Sequence, residues 1–318
     1  MNLDDARVFA ELDPQGMLAE IDNLPQQLWE AWELGRQYTL TQFPDLRQIL
    51  VAGMGGSAIG ADLLAAYVAP LARVPIYVHR DYDLPAWAYG PGTLVIASSH
   101  SGNTEETLSA FEAAGKRDCL RLAITTGGRL AELAQQGDVP VWRFSHAGQP
   151  RAAVGFSFGL LLAALNALNL IPDSASTLRD TVAAMRRQQE QLLPHVPAAS
   201  NPAKRQAGQL VDRWVTVFGA GHLAPVARRW KGQISEVAKA WAQFEYLPEA
   251  DHNTLAGIVN PETALSRSVS LFLQSDSDHP RNRLRSELTR KVFMLEGLSV
   301  DFFDAPGATE LAQMWTAL

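Results

Sequence analysis

The sequence predicts an α/β fold: two similar, doubly wound parallel-sheet halves behind a helical N-terminal arm. Two observations carry that expectation. From Arg47 onward short apolar runs alternate with helix-patterned segments, the rhythm of a parallel sheet covered on both faces. Near Trp214 the rhythm starts again, with Gly219 falling where Gly53 fell. A chain of 318 residues is long enough for two such halves.

Residues 1–46, which include "MLAEIDNLPQQLWEAWELGRQY", are polar and helical in pattern and form the arm. Residues 47–150 form the first half. Its strands are "RQILVAG", "VPIYVHR", "TLVIASS", "LRLAITT" and "VPVWRF"; its helices are "GGSAIGADLLAAYV", "TEETLSAFEAAGKR" and "RLAELAQQ". Residues 151–205 read as a helical connection: the apolar "RAAVGFSFGLLLAALNAL", a polar helix from Ser176 to about Leu193, and a crossing segment, "PHVPAASNPAKRQA". Residues 206–318 form the second half. There "WVTVFGAGHLAPVARRWKG" repeats "ILVAGMGGSAIGADLL", and "SVSLFLQSDSDHPRNRLRSELTR" echoes "TLVIASSHSGNTEETLSAF".

An apolar share of 47% and a charged share of 19% are ordinary for a globular protein. A net charge of -7 argues against nucleic acid or an anionic membrane as the main partner, because both select basic surfaces. The single cysteine, Cys119, has no partner for an internal disulfide, and the acidic N-terminus lacks an apolar signal core, so the expected setting is the cytoplasm. The apolar stretch from Val154 to Leu170 is short and broken by Ser157, Asn166 and Asn169; it reads as a buried helix rather than a membrane span.

In an open parallel sheet the ligand crevice lies at the strand ends, where helix N-termini favour anions. Two such ends carry small residues: Gly53-Met54-Gly55-Gly56-Ser57, and Ser98 to Thr104, "SSHSGNT". Gly55 and Gly56 let the backbone approach a phosphate, and the hydroxyls of Ser57, Ser99, Ser101 and Thr104 can donate to its oxygens. Either turn alone is equally an ordinary strand-to-helix turn. The spacing from Gly53 through Gly55 to Ala58 is a tolerated dinucleotide fingerprint, but polar Gly56-Ser57 and the weak acidic strand end "VHRD" fit it badly. A P-loop is excluded, since no Gly-Lys-Ser/Thr follows the glycines. In the second half Asp276, Asp278 and His279 replace the hydroxyl run, so that turn is not expected to bind what the first binds. Histidines 79, 100, 146, 195, 222 and 279 lack metal-ligand spacing, and no cofactor or metal is expected.

Three further residues have chemistry to offer and a plainer alternative. Glu236 is a helical carboxylate that could equally pair with Lys239 at i,i+3. His252, in "EADHNT", titrates near neutrality and could equally hydrogen-bond within its loop. Arg151 stands at a helix start, where a cation opposes the helix dipole.

"GMGGSAIG", followed some forty residues later by "SSHSGNTEET", resembles the phosphosugar-binding signature of sugar isomerase (SIS) domains, which are flavodoxin-like. "ARRWKGQISEVAKA" and "LPEADHNTLAG" resemble the matching segments of bifunctional phosphoglucose/phosphomannose isomerases. The likeness runs from about residue 47 onward. It implies an isomerase that interconverts glucose 6-phosphate, fructose 6-phosphate and mannose 6-phosphate through a cis-enediol. The phosphate of the hexose would rest on Gly55, Gly56, Ser57, Ser99, Ser101 and Thr104. Glu236 would move the proton, His252 would open the ring from the neighbouring subunit of a homodimer, and Arg151 would stabilise the enediolate. A non-catalytic sugar-phosphate sensor and an SIS enzyme for another phosphosugar remain the alternatives.

The chain departs from the family at three places. His100 stands where a tyrosine is usual, and Ser235 and Val237 flank Glu236 where asparagines are usual. The family also continues into an Asp-Pro-Thr-Pro-Val tail with a lysine near the sugar ring, whereas this sequence stops at Leu318 in an amphipathic pattern. The expectation is that the natural protein lacks that tail or that the chain is truncated, and with the tail go the lysine and the threonine thought to admit mannose phosphate.

Overall fold

The computed structural model describes residues 2–43 and 45–318. By contact the chain falls into two units, residues 19–176 and residues 1–18 together with 177–318. It opens with helices α1 (Ala6–Leu12), α2 (Met17–Asp22) and α3 (Leu24–Gly35). Strand β1 (Gln48–Ala52), helix α4 (Gly55–Val68), strands β2 (Ile76–His79) and β3 (Thr93–Ser99), helix α5 (Glu105–Lys116), strand β4 (Leu120–Thr125), helix α6 (Gly128–Gln136) and strand β5 (Val141–Arg143) follow. A 3-10 turn, Pro150–Ala152, leads into α7 (Val154–Ala167), α8 (Ala175–Leu192) and α9 (Pro202–Leu210). The remainder is β6 (Trp214–Ala220), α10 (Ala224–Glu236), β7 (Ala242–Leu247), the short α11 (Glu262–Leu265), β8 (Ser268–Gln274), α12 (Pro280–Leu295), β9 (Ser299–Asp304) and α13 (Glu310–Thr316).

The first unit is built on a parallel sheet of order β2-β1-β3-β4-β5. Its central strand, β3, is buried along its whole length, which is why its sequence is an unbroken run of apolar and small residues. Register places Ala52 beside Ala97 and Ser99 beside Thr125, so β3 and β4 end level at the crevice while β1 stops short of them. Helix α7 is apolar all round and buried from Val154 to Leu165. It packs on α3 and α4 through glycines: a Cβ on Gly159 would lie 2.6 Å from the Ala31 Cβ, and one on Gly60 would lie 2.5 Å from the Ser157 Cβ. A helix with no polar face has to be covered on every side. The contact boundary therefore runs after α7, at residue 176, and takes in residues 19–46 of the arm.

The second unit repeats the plan with four parallel strands, in the order β7-β6-β8-β9. Phe218 on β6 and Phe272 on β8 stack at 4.4 Å, and Phe293 from α12 meets Phe218 edge-on at 5.8 Å. Strands β7 and β9 are only partly buried, and Glu245, Asp301 and Asp304 interrupt their apolar runs. The crossing segment holds α9, begun by Pro202 and capped by Asn201, whose side chain accepts from the Lys204 N–H at 3.1 Å. The buried Lys204 ammonium donates to Asp4 at 3.0 Å and to the carbonyls of Pro194 and Val196, tying the start of the chain into this unit. Among the described residues no helix is long and apolar enough to cross a membrane.

Candidate active site

In the first sheet β1 and β3 are neighbours whose connections leave in opposite directions, so the crevice opens between their C-terminal ends. Both small-residue turns arise there. They touch at Gly53, where a Cβ would lie 2.8 Å from the Ser98 carbonyl oxygen. Gly55 starts the 14-residue α4 with φ +50°, a conformation that favours glycine, and nothing lies within 4 Å of where its Cβ would be. The Ser57 and Ala58 N–H groups donate to the Met54 carbonyl at 3.1 and 3.3 Å, while Gly55, at the start of the helix, borders open space at the positive end of its dipole, which suits an anion.

The second turn is built on hydroxyls. The Ser99 and Thr104 hydroxyls lie 3.0 Å apart, the Gly102 N–H donates to Ser99 Oγ at 3.1 Å, and the Asn103 N–H donates to Ser101 Oγ at 3.2 Å. Gly102 has φ +68°, and a Cβ on it would lie 1.9 Å from the Gly127 carbonyl oxygen. Asn103 Oδ1 accepts from the Arg129 N–H at 3.0 Å, and the Gly102 carbonyl accepts from the Leu130 N–H at 2.8 Å. The loop is thus locked to the start of α6. Ser99 is almost fully buried, Ser101 is exposed and Thr104 lies between these extremes.

Arg151 lies on the turn before α7, and that turn sits on the first glycine pair. A Cβ on Gly56 would be 2.5 Å from the Pro150 carbonyl oxygen and 3.5 Å from the Arg151 Cα. The buried Gln27, on α3, holds the turn from both sides: its amide nitrogen donates to the Ala152 carbonyl at 3.0 Å, and its amide oxygen accepts from the Gly155 N–H at 2.8 Å. Sequence reading did not single out Gln27, and its only signal was a polar residue on an otherwise apolar helix face.

His100 also has partners the sequence did not reveal. Its Nε2 lies 2.9 Å from His146 Nδ1, and His146 Nε2 lies 3.2 Å from Glu20 Oε2. His100 occupies a partly buried site, and burial, with His146 adding to it, holds its pKa below the ordinary 6.5.

Glu236 and His252 belong to the second unit. Glu236 is the last residue of α10 and is exposed. Its Oε1 lies 3.9 Å from where a Cβ on Gly232 would be. Lys239, at φ +56°, directs its ammonium to the Glu236 main-chain carbonyl at 2.6 Å and so caps the helix end. His252 is exposed on the 3-10 turn Glu249–His252 after β7. The neighbouring Asp251 anchors that turn to α12 by accepting from Arg285 at 2.9 Å and from Thr289 at 2.7 Å.

The second sheet has corresponding strand ends at β6 and β8, where His222 and Asp278 are buried, and a cavity lined by Gln274, Ser275, Asp278, Arg290 and Asp304 lies at the end of β8. Gly221 repeats Gly55 with φ +51°, but His222 stands where Gly56 stands. The Ser275 hydroxyl donates to Gln313 of α13, whose amide donates to the Gly307 carbonyl at 3.0 Å. Among the described residues no group of three or more His, Cys, Asp or Glu side chains is placed to hold a metal ion.

Comparison with known proteins gives four results. A family model described as the bacterial phospho-glucose isomerase C-terminal SIS domain matches residues 199–318. The bifunctional phosphoglucose/phosphomannose isomerase of Caldicellulosiruptor bescii is 36% identical over 304 residues, covering 95% of this chain and 89% of that protein. The enzyme of the same name from Aquifex aeolicus is 33% identical over 266 residues, 83% of this chain and 78% of that one. A hypothetical protein from Thermus thermophilus has the same fold, with a TM-score of 0.70 at 16% identity over 98% of this chain and 86% of that chain.

Proposed function

The chain belongs to the bifunctional phosphoglucose/phosphomannose isomerase family, and on that premise we propose that it interconverts glucose 6-phosphate, fructose 6-phosphate and mannose 6-phosphate through a cis-enediol. One observation carries the reading: the two anion-ready turns meet at Gly53 and Ser98, and the Arg151 turn rests on Gly56 beside them. The phosphate sits on the N–H groups at Gly55 and Gly56 and on the hydroxyls of Ser57, Ser99, Ser101 and Thr104. This anchors the end of the sugar remote from the reacting carbons.

His252 passes a proton between the ring oxygen and O1 to open the sugar. Glu236 takes the C2 proton and returns it to C1, and Arg151 balances the charge that develops on the enediolate oxygens. A cis-enediol is planar at C2, so return of the proton to one face gives the glucose epimer and to the other the mannose epimer. These steps move protons and leave no net oxidation, so they call on no electron carrier. The exposed His252, on a turn braced from α12, supports a homodimer in which it serves the partner's sugar, and the lone buried Cys119 supports a cytoplasmic setting.

A coupled assay with fructose 6-phosphate and without added metal tests the reading. Glu236→Gln is expected to lower kcat at least about a hundredfold while fructose 6-phosphate still binds. Full activity in that variant overturns the base assignment. Binding without turnover in the unaltered protein favours a sugar-phosphate sensor instead.

A further inference from the structure

His100 stands between Ser99 and Ser101, so the hydroxyl loop carries the first member of the chain His100–His146–Glu20. The tautomers follow from the last member. A carboxylate only accepts, so His146 donates from Nε2; its Nδ1 then accepts, and His100 donates from Nε2. One ring nitrogen has no role in this chain, Nδ1 of His100.

The chain is built into the fold. Gly148 leaves room for it: a Cβ there would lie 2.2 Å from Glu20 Oε1 and 2.8 Å from His146 Cε1. Phe144 and Phe156, stacked at 4.9 Å, each meet one imidazole edge-on, His100 at 5.8 Å and His146 at 6.0 Å. The His100 carbonyl accepts from both the N–H and the hydroxyl of Thr126, which fixes the backbone that carries the ring. Burial favours a neutral His100 in the free protein.

Resting on the phosphosugar reading above, we propose that the Glu20–His146–His100 chain matches charge at the anion loop. When a phosphomonoester dianion settles there, the imidazole pair takes up a proton from solvent at His100 Nδ1, and it releases that proton when the ligand leaves. Neither existing hydrogen bond breaks, and no bond to the ligand forms. The ionisable groups on the surrounding elements include Glu105 and Glu106 in the first turn of α5, Arg121 on β4, Asp22 on α2, Arg143 on β5, Arg151 on the turn before α7, and Arg129 on α6, itself paired with Glu132 at 3.2 Å; α7 has none between Val154 and Ala167. His100 is thus a positioning and charge-matching residue, and it explains why an imidazole can stand where the family usually has tyrosine.

The test is titration calorimetry of the full chain with fructose 6-phosphate at pH 7.5, in two buffers of different ionisation enthalpy, which counts protons bound. Wild type is compared with His100→Tyr, so the ligand's own protons cancel. Wild type is expected to take up more protons than the variant, and its affinity to fall about five- to tenfold further between pH 7 and pH 8.5. Glu20→Gln, on the partly exposed α2, is expected to lose part of the uptake and supplies the comparison should His100→Tyr not fold. Equal uptake in wild type and variants overturns the proposal while leaving the phosphosugar reading standing. A wild-type protein that binds no fructose 6-phosphate overturns that reading and the proposal with it.

Discussion

His222 and Asp278 face each other across 4.0 Å beyond the ends of β6 and β8 in the second sheet, each more than nine-tenths buried. Burial pushes the His222 pKa down to about 4 and the Asp278 pKa up to about 6, so both favour their neutral forms. Asp278 still accepts from the Ser275 N–H at 3.1 Å. His222 stands at the position that Gly56 holds in the first sheet, where the Pro150 carbonyl packs against the glycine instead.

The stability of the protein should therefore respond to the two groups with opposite signs. The unfolded chain protonates His222 first, so this residue costs stability as pH falls from 6.5 toward 4, about 3 kcal/mol in all. The folded chain holds the Asp278 proton more tightly, so that residue costs a similar amount, about 3 kcal/mol, as pH rises from 3.8 toward 6. Between pH 4 and pH 6 the two slopes offset. Asp278→Asn should leave a stability that rises with pH in this window relative to wild type, and His222→Gln one that falls. Urea midpoints measured from pH 4 to pH 7 check both signs; parallel curves for all three proteins contradict the pairing.

Gln27 provides a second test, because its one amide satisfies the Ala152 carbonyl and the Gly155 N–H on the two sides of the turn after Arg151. Gln27→Leu keeps the volume but leaves both buried groups without that partner. The expected loss is about 2 to 4 kcal/mol of stability, seen by urea denaturation, with lower kcat because the Arg151 turn loses its brace. Wild-type stability in the variant would mean that water replaces the amide at no cost.

Much of this was legible in the sequence, and the limits have a physical cause. Strands such as Thr93–Ser99 and Leu120–Thr125 are central and apolar, so their runs announce them, whereas Ala242–Leu247 and Ser299–Asp304 are half exposed and carry Glu245, Asp301 and Asp304. The match of Gly53 with Gly219 extends to Gly55 and Gly221, whose φ values are +50° and +51°. Local pattern identifies a loop able to hold an anion. It cannot show what braces the loop, since Gln27 and Ala152 are 125 residues apart and Glu20 and His146 are 126 apart. The apolar surface of α7 signalled burial in the same way, without naming α3 and α4 as its neighbours.

Two glycines in the turns proposed to hold the phosphate should behave differently although both have positive φ. Gly102→Ala drives a Cβ to 1.9 Å from the Gly127 carbonyl oxygen, a backbone atom that can move only if the lock between the hydroxyl loop and α6 opens. Gly55→Ala meets no atom within 4 Å and bears only the conformational cost, about 1 kcal/mol. The measurement is binding of fructose 6-phosphate alongside melting temperature. Gly102→Ala should weaken binding more than tenfold, and equal effects of the two substitutions would show that the clash is relieved elsewhere.

Asp251 sits next to His252 and ties its turn to α12 through both carboxylate oxygens, to Arg285 Nη1 at 2.9 Å and to Thr289 Oγ1 at 2.7 Å. If His252 transfers the ring-opening proton, its placement depends on that tether, because a catalytic imidazole displaced by about 1 Å forfeits much of its rate. The small-residue turns proposed to hold the phosphate lie in the other unit and keep their own hydrogen bonds. Asp251→Ala should therefore lower kcat about tenfold or more and leave KM nearly unchanged. Asp251→Asn, which retains one acceptor for Thr289 or Arg285, should fall between the variant and wild type. A rise in KM with constant kcat would instead assign Asp251 to substrate binding, and wild-type kinetics would mean that the turn is held without it, through contacts such as the Asn253 amide on Glu249 at 3.0 Å.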